Sequence, residues 1–417
     1  MRILFVVHQF FPEYVGGTET VSYQLAKAAQ RAGHFVRVIT CRVLQWPVDA
    51  NTSVIDSVYD GVPVTAFHRL ILPHNADIDF VTNPELVKKV RHLLVEEQFD
   101  VAHIMHTMRM GAVLEAIFAT GLPYVMTLTD FFSQCFRINL VDLNETVCRG
   151  ASAGYVCAES CLVPPWTKES LQERSAGYRR LLAGADELVC PSEYVMEHYQ
   201  REYPDLKFRI IEHGIDLVAA VQQEKEGDKL AETGTSMILR IGFVGSFVPE
   251  KGVECLIEAF KSVSATNVEL RLHGFFGIDA YQQKISALIK EDIRISLRPF
   301  IQREYLFSTL AGFDVLCLPS VVPETFSLIL REAAAAGTPA LVSDRGAPAR
   351  YVSDHDCGRV VAAGDMDAWA EAIEDLCGSV EMLDHWRANL PVPYRMEEEA
   401  FFYQSLYRRI VRGELRQ

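Results

Sequence analysis

From Ile3 to Ser343 the chain repeats one pattern: a short apolar run, a polar or glycine-containing loop, then an amphipathic stretch. Ile3–Val7, His34–Thr40, Val101–Met105, Tyr124–Leu128, Glu187–Cys190 and Arg209–Ile211 read as one set of strands. Leu239–Gly245, Glu269–His273, Ile293–Leu297, Val315–Leu318 and Ala340–Ser343 read as a second. Runs that are apolar throughout, rather than alternating, belong to strands covered on both faces, which means parallel sheets with crossover helices. One hydrophobic core rarely organises 417 residues, so the expectation is an α/β chain of two doubly wound domains. The polar stretch 218–236, rich in Gln, Glu, Lys, Gly and Thr, reads as their linker. The division is then 1–217, with a cysteine-containing insertion at about 131–168, and 237–395, followed by a terminal segment 396–417. In that segment Ala400, Tyr403, Leu406, Tyr407, Ile410 and Val411 fall at helical spacing.

The first loop, Phe10-Phe-Pro-Glu-Tyr-Val-Gly-Gly17, leads into a helix near Thr18, a residue suited to an N-cap, and Gly33 suits its left-handed end. A formal charge of −15 argues against nucleic acid as a partner, because phosphate-backbone binding needs clustered Lys and Arg. Lys88-Lys89-Val-Arg91-His92 is one local basic patch, read as a solvated helix face or a peripheral membrane contact. No apolar run reaches the ~20 residues of a membrane span. The apolar start, Arg2–Val7, is too short for a signal-peptide core, so a cytoplasmic protein is expected. In that setting the ten cysteines read as thiols or metal ligands rather than disulfides.

The most telling stretch is Pro319-Ser-Val-Val-Pro-Glu-Thr-Phe-Ser-Leu-Ile-Leu-Arg-Glu-Ala-Ala-Ala-Ala-Gly337. It follows a strand and places Glu324 and Glu332 across a loop-to-helix junction. The amides of Phe326, Ser327 and Leu328 would open the helix, and a helix N-terminus is a ready anion site. Glu332, about two turns in at ~3.6 residues per turn, would face the same crevice and accept hydrogen bonds from a vicinal diol. Phosphate at amides and ribose at a carboxylate is the chemistry of holding a nucleotide.

This spacing closely resembles the donor-binding motif of family 4 retaining glycosyltransferases of the GT-B fold, and the likeness runs along nearly the whole chain. It implies two Rossmann-like domains facing a cleft, with the terminal helix crossing back to the first. It also implies transfer of a sugar from a nucleotide-sugar to a carbohydrate, lipid-linked or small-molecule acceptor, with no cofactor or divalent metal required. By resemblance Glu324, Lys251 and Asp130 are the catalytic set. Gly16, Gly17, Ser246, Lys251, Phe326, Ser327, Leu328 and Glu332 would bind the donor, Glu324 the sugar hydroxyls and Glu332 the ribose. His273-Gly274 and Pro299-Phe300 would border the base. Two positions depart from the pattern: Ser246 stands where an Arg is usual, and Thr129 in Thr127-Leu-Thr-Asp130 where a His is usual. Arg137 or Arg109 are candidates to restore the missing cation. In Glu212-His-Gly-Ile-Asp216, His213 replaces a usual Asn.

His103 and His106 follow a strand at its carboxyl end, where open α/β sheets bind ligands; they read as acceptor contacts or a proton relay, or equally as satisfied strand-end histidines. Cys135, Cys148, Cys157 and Cys161 share one irregular stretch and read as a structural zinc site of four thiolates, or as four reduced thiols. The competing functions are a nucleotide-sugar epimerase and a non-catalytic nucleotide-sugar binder. Against the first, the opening loop lacks Gly-x-Gly-x-x-Gly.

Overall fold

The computed structural model describes residues 1–43, 54–77, 79–164, 166–217, 238–277 and 279–414. The linker expected at 218–236 lies outside the described residues. The chain divides into two compact units, Met1–His213 with Met396–Gln417, and Gly214–Arg395.

Unit 1 is built on strands β1 (Arg2–Val6), β2 (Phe35–Arg42), β3 (Val54–Tyr59), β4 (Val62–His68), β5 (Val101–Ile104), β6 (Tyr124–Thr127), β7 (Glu187–Cys190) and β8 (Arg209–Ile210). Their order is β3-β4-β2-β1-β5-β6-β7-β8, parallel throughout except for the β3–β4 pair. That hairpin turns on Asp60-Gly61, both with positive φ (45° and 77°), as a two-residue primed turn requires. Every residue of β5 and β6 is buried, as expected for strands with helices on both faces. The order reverses around β1, which lies between β2 and β5, and such a reversal opens a crevice at the carboxyl ends of the strands.

The first helix runs Gly17–Arg31, capped by Gly16 with no side-chain hydrogen bond. Thr18 is thus inside the helix rather than its cap, and the capping acceptor is the Glu19 carboxylate, which takes hydrogen bonds from the Glu19 and Gly16 amides. The helix Met396–Val411 belongs to unit 1 and packs on Gly17–Arg31 and β5. Met396, Ala400, Tyr403, Leu406, Tyr407 and Ile410 form its buried stripe, while Val411 is exposed.

Unit 2 carries β9 (Leu239–Phe247), β10 (Val268–Phe276), β11 (Ile295–Arg298), β12 (Val315–Leu318), β13 (Ala340–Ser343) and β14 (Gly358–Val361). They form an all-parallel sheet in the order β11-β10-β9-β12-β13-β14. The strand expected from Ile293 starts two residues later, leaving Ile293 fully exposed in the turn before it. The order reverses between β9 and β12, so the loops leaving these two strands flank the crevice of unit 2. Among the described residues no helix is long and apolar enough to cross a membrane.

Candidate functional site

In unit 2 the loop after β9 and the loop after β12 are stitched together by backbone. Val321 donates its amide to the Glu250 carbonyl at 2.9 Å. Gly252 makes the approach possible: its φ is +67°, and a Cβ there would stand 2.0 Å from the Pro319 carbonyl oxygen. Lys251, which precedes it, donates from Nζ to Glu324 Oε1 at 2.7 Å, and Ser320 donates to the same oxygen. Glu324 is itself pinned at the backbone, bridging Gly346, with its carbonyl accepting from the Ala347 amide at 2.8 Å. Burial pushes the Glu324 carboxyl up, but the Lys251 charge and its hydrogen bond outweigh burial and hold it below its ordinary range. The carboxylate is therefore charged at neutral pH.

The helix that follows is Leu328–Ala335, with Ser327 as its N-cap in the left-handed region at φ 68°. A non-glycine residue held there costs roughly 1–3 kcal/mol, and such outliers concentrate at binding sites. Of the three amides expected to open the helix, Leu328 is at its first turn, Ser327 is at the cap, and Phe326 precedes it as a buried side chain. Glu332, on the same helix, is 5% exposed and pairs with Arg303, from the 3-10 turn Arg303–Tyr305. Burial raises the Glu332 carboxyl, Arg303 opposes this, and Asp216 adds to the rise. Its neighbour Arg331 lies over the Tyr351 ring at 3.4 Å and the Phe326 ring at 4.7 Å.

Ser246 is half-buried near the end of β9, opposite Phe275 in the register. Gly274 and Gly245 face each other there so closely that a Cβ on Gly274 would stand 1.9 Å from the Gly245 carbonyl oxygen. His273 donates from Nδ1 to the Pro299 carbonyl at 3.2 Å, joining the two segments expected to border a base.

Unit 1 gathers a second cluster at its own strand ends: His8 after β1, His106 after β5 and Thr129 and Asp130 after β6. Met108 donates its amide to His106 Nδ1 at 3.1 Å, so the ring proton sits on Nε2, which donates to Asp130. His8 stacks on His106 with ring centroids 3.8 Å apart, and its Nε2 is 3.7 Å from Glu19 Oε1. Burial, then His106 and Arg109, hold His8 well below the ordinary histidine range, while burial raises Glu19. Gly16 tolerates this carboxylate because it has no Cβ, which would stand 2.4 Å from Glu19 Oε2. Neither His8 nor Glu19 is prominent in the sequence, since one ends a strand and the other opens a helix. Thr129 donates its hydroxyl to the Met105 carbonyl at 2.9 Å.

The remaining candidates all lie in unit 1. His103 does not face an acceptor: it is fully buried, and its Nδ1 meets Tyr407 Oη at 2.6 Å while its Nε2 meets Thr127 Oγ1 at 2.7 Å. Thr127 Oγ1 in turn meets Tyr403 Oη at 2.7 Å, so this histidine fastens the terminal helix to the sheet. Arg137 donates from Nε to the Val141 carbonyl at 3.0 Å inside the cysteine-containing loop, and Arg109 pairs with Asp77. Both sit in unit 1, and within unit 2 Arg303 is the guanidinium that meets Glu332. Finally, among the described residues no group of three or more His, Cys, Asp or Glu is placed to hold a metal ion. Cys157 and Cys161 pack instead with Phe136, Ala151 and Leu171. Burial, then neighbouring Cys135, Cys148 and Cys161, push the Cys157 thiol up to about 12, so it stays protonated at neutral pH.

Comparison with known proteins matches this arrangement. The sequence model for "Glycosyltransferase Family 4" covers residues 15–218, and that for "Glycosyl transferases group 1" covers residues 226–390. The phosphatidyl-myo-inositol mannosyltransferase of Mycobacterium leprae is 24% identical over 86% of this chain and 83% of its own. Among solved structures, sucrose-phosphate synthase from Thermosynechococcus elongatus superposes with a TM-score of 0.70, at 18% identity and covering 99% of both chains. An Anabaena protein solved with UDP and glucose superposes at 0.66, with 16% identity over 97% of this chain and 98% of its own. With the two family matches running consecutively along most of its length, the chain belongs to family 4 of the glycosyltransferases and has their GT-B fold.

Proposed function

We propose that this glycosyltransferase is retaining and metal-independent, and that it moves a sugar from a nucleoside-diphosphate sugar to a hydroxyl of a carbohydrate or lipid-linked acceptor. The observation that carries the reading is the Lys251–Glu324 pair, at the switch point of unit 2 and beside the head of the helix Leu328–Ala335. Breaking the bond between the anomeric carbon and the diphosphate develops negative charge on the departing phosphate and positive charge on the sugar ring. Lys251 and the amides at Ser327 and Leu328 meet the first, as preorganised charge and dipole that need not reorient during the reaction. Glu324, kept ionised by Lys251, accepts from sugar hydroxyls, and Glu332 accepts from the ribose. The leaving phosphate takes the acceptor's proton, so no side-chain nucleophile is needed. Gly16 and Gly17 are assigned to the donor, Asp130 to the catalytic set, and His106 and Thr129 to the acceptor and sugar side.

A lipid-linked acceptor is supported by the name of the mycobacterial relative, and a nucleotide donor by the UDP in the Anabaena structure. A cytoplasmic enzyme with at most peripheral membrane contact suits both.

The test is thermal stabilisation by UDP, GDP, dTDP and ADP, run in parallel on Glu332→Ala, with sugar release followed for the nucleotide-sugar that matches. A ligand at 100 times its Kd stabilises by roughly 2.7 kcal/mol. One nucleotide should stabilise the native protein and fail on the variant. An equal response from both would sink the assignment of Glu332, and binding without turnover on any acceptor would leave a binder rather than an enzyme.

A further inference from the structure

Glu332 and Glu324 are both buried carboxylates in unit 2, and each is met by one cation from another segment. Lys251 has an evident task at the diphosphate. Arg303, which stands 29 residues before Glu332 in the sequence, has none assigned. Its side chain is 40% exposed while that of Glu332 is 6% exposed, so the guanidinium reaches from the surface onto a carboxylate that water scarcely touches. Among the described residues the charged groups that face Glu332 are Arg303 and Asp216, and Asp216 carries the same sign as Glu332. Arg331, next to it on the helix, lies against the Tyr351 and Phe326 rings. A guanidinium is the suitable partner here because it stays charged at every physiological pH.

We propose that Arg303 is a positioning residue for nucleotide recognition, holding the buried Glu332 carboxylate charged and oriented to receive the two hydroxyls of a ribose. The inference rests on the reading of Glu332 given above. A carboxylate offers about four lone-pair positions, and Arg303 binds at Oε1, which leaves acceptor capacity for a diol. Without Arg303, a buried carboxylate beside Asp216 takes up a proton more readily. A protonated carboxyl has become a donor at one oxygen and no longer matches two ribose hydroxyls.

The experiment measures the Kd of UDP, GDP and ADP by isothermal titration from pH 6 to 8.5. The proteins are native, Arg303→Gln, Arg303→Lys and Glu332→Ala, with Arg303→Met as a second neutral variant. Each unit of upward pKa shift costs about tenfold in the charged fraction below that pKa. Arg303→Gln should therefore weaken binding about tenfold at pH 6 and recover toward the native value by pH 8.5. Arg303→Lys, which keeps the charge, should stay close to native across the range. A loss in both neutral variants that is the same at every pH, or no loss in either, overturns the positioning role. If Glu332→Ala binds as well as native, the ribose reading itself fails. If Glu332→Ala loses binding while the Arg303 variants keep it, only the role of Arg303 falls.

Discussion

At the switch point of unit 2 each carboxylate meets a permanent cation, Lys251 for Glu324 and Arg303 for Glu332. At the corresponding point of unit 1 the carboxylates meet imidazoles instead, with Asp130 against His106 and Glu19 near His8. Both clusters arise from the same accident of topology, a parallel sheet whose order reverses beside its first strand. Unit 2 thus brings an ammonium and a guanidinium to its crevice, which suits a diphosphate. In unit 1 a buried His8, held well below the ordinary histidine range, stacks on a ring that donates to Asp130, which suits handling a neutral hydroxyl.

Replacing Lys251 by Ala strikes unit 2 hardest. Turnover should fall by about a hundredfold or more, the usual loss when one preorganised donor to a developing anion is removed. Initial-rate measurements at saturating donor would show it, and a rate within tenfold of native would mean that the pair is structural. The equivalent lesion in unit 1 is Tyr407→Phe, which leaves His103 without its Nδ1 partner in a dry interior. An orphaned buried group costs about 1–3 kcal/mol, so the melting temperature should drop by several degrees while nucleotide binding is kept. A variant as stable as native would show that this network holds nothing.

The smallest effect is a difference in acid sensitivity. His8, His34, His103 and His198 of unit 1 are all held below the ordinary histidine range by burial, His103 to about 3; in unit 2 His273 is held low as well, also by burial. A histidine whose folded pKa is depressed leaves the unfolded chain with more bound protons below about 6.5, so stability falls as the pH drops through that value. Glu324, with a depressed carboxyl, contributes stability that persists above the ordinary 4.5 and is lost only below it. Hydrogen exchange between pH 7 and 5 should therefore show β5 and β6 losing protection while the helix Leu328–Ala335 keeps it. Parallel loss in both would remove the electrostatic contrast between the two units.

Much of this was legible in the chain. Buried parallel strands announce themselves as continuous apolar runs, and the junction from Pro319 to Gly337 carries its own spacing. The stripe from Ala400 to Ile410 is a helix wherever it docks. The hairpin β3–β4 was also readable, because Asp60-Gly61 between alternating residues is a strong turn signal, yet it interrupts a parallel pattern and so escapes a reading tuned to that pattern. Arg303 and Glu332 had no such signal: nothing local in a sequence ties an arginine in a turn to a glutamate on a later helix. His103 shows the converse. Its place at the end of a strand marks a ligand site, and only tertiary packing reveals that the helix Met396–Val411 has already taken its Nδ1 and the neighbouring strand β6 its Nε2.

That helix has a consequence for how the protein is made. Unit 1 is begun before unit 2 and finished after it, since Tyr403 and Tyr407 supply its interior hydroxyls and buried rings. Domains emerging from synthesis generally fold in order from the N-terminus. Here the order is inverted: unit 2 is complete in the nascent chain at Arg395, while the earlier-made unit waits open for its closing segment. A stop codon shortly after residue 395 would then spare the later-made unit and leave the earlier one unsealed, so losing the helix Met396–Val411 strikes the half of the chain that was made first.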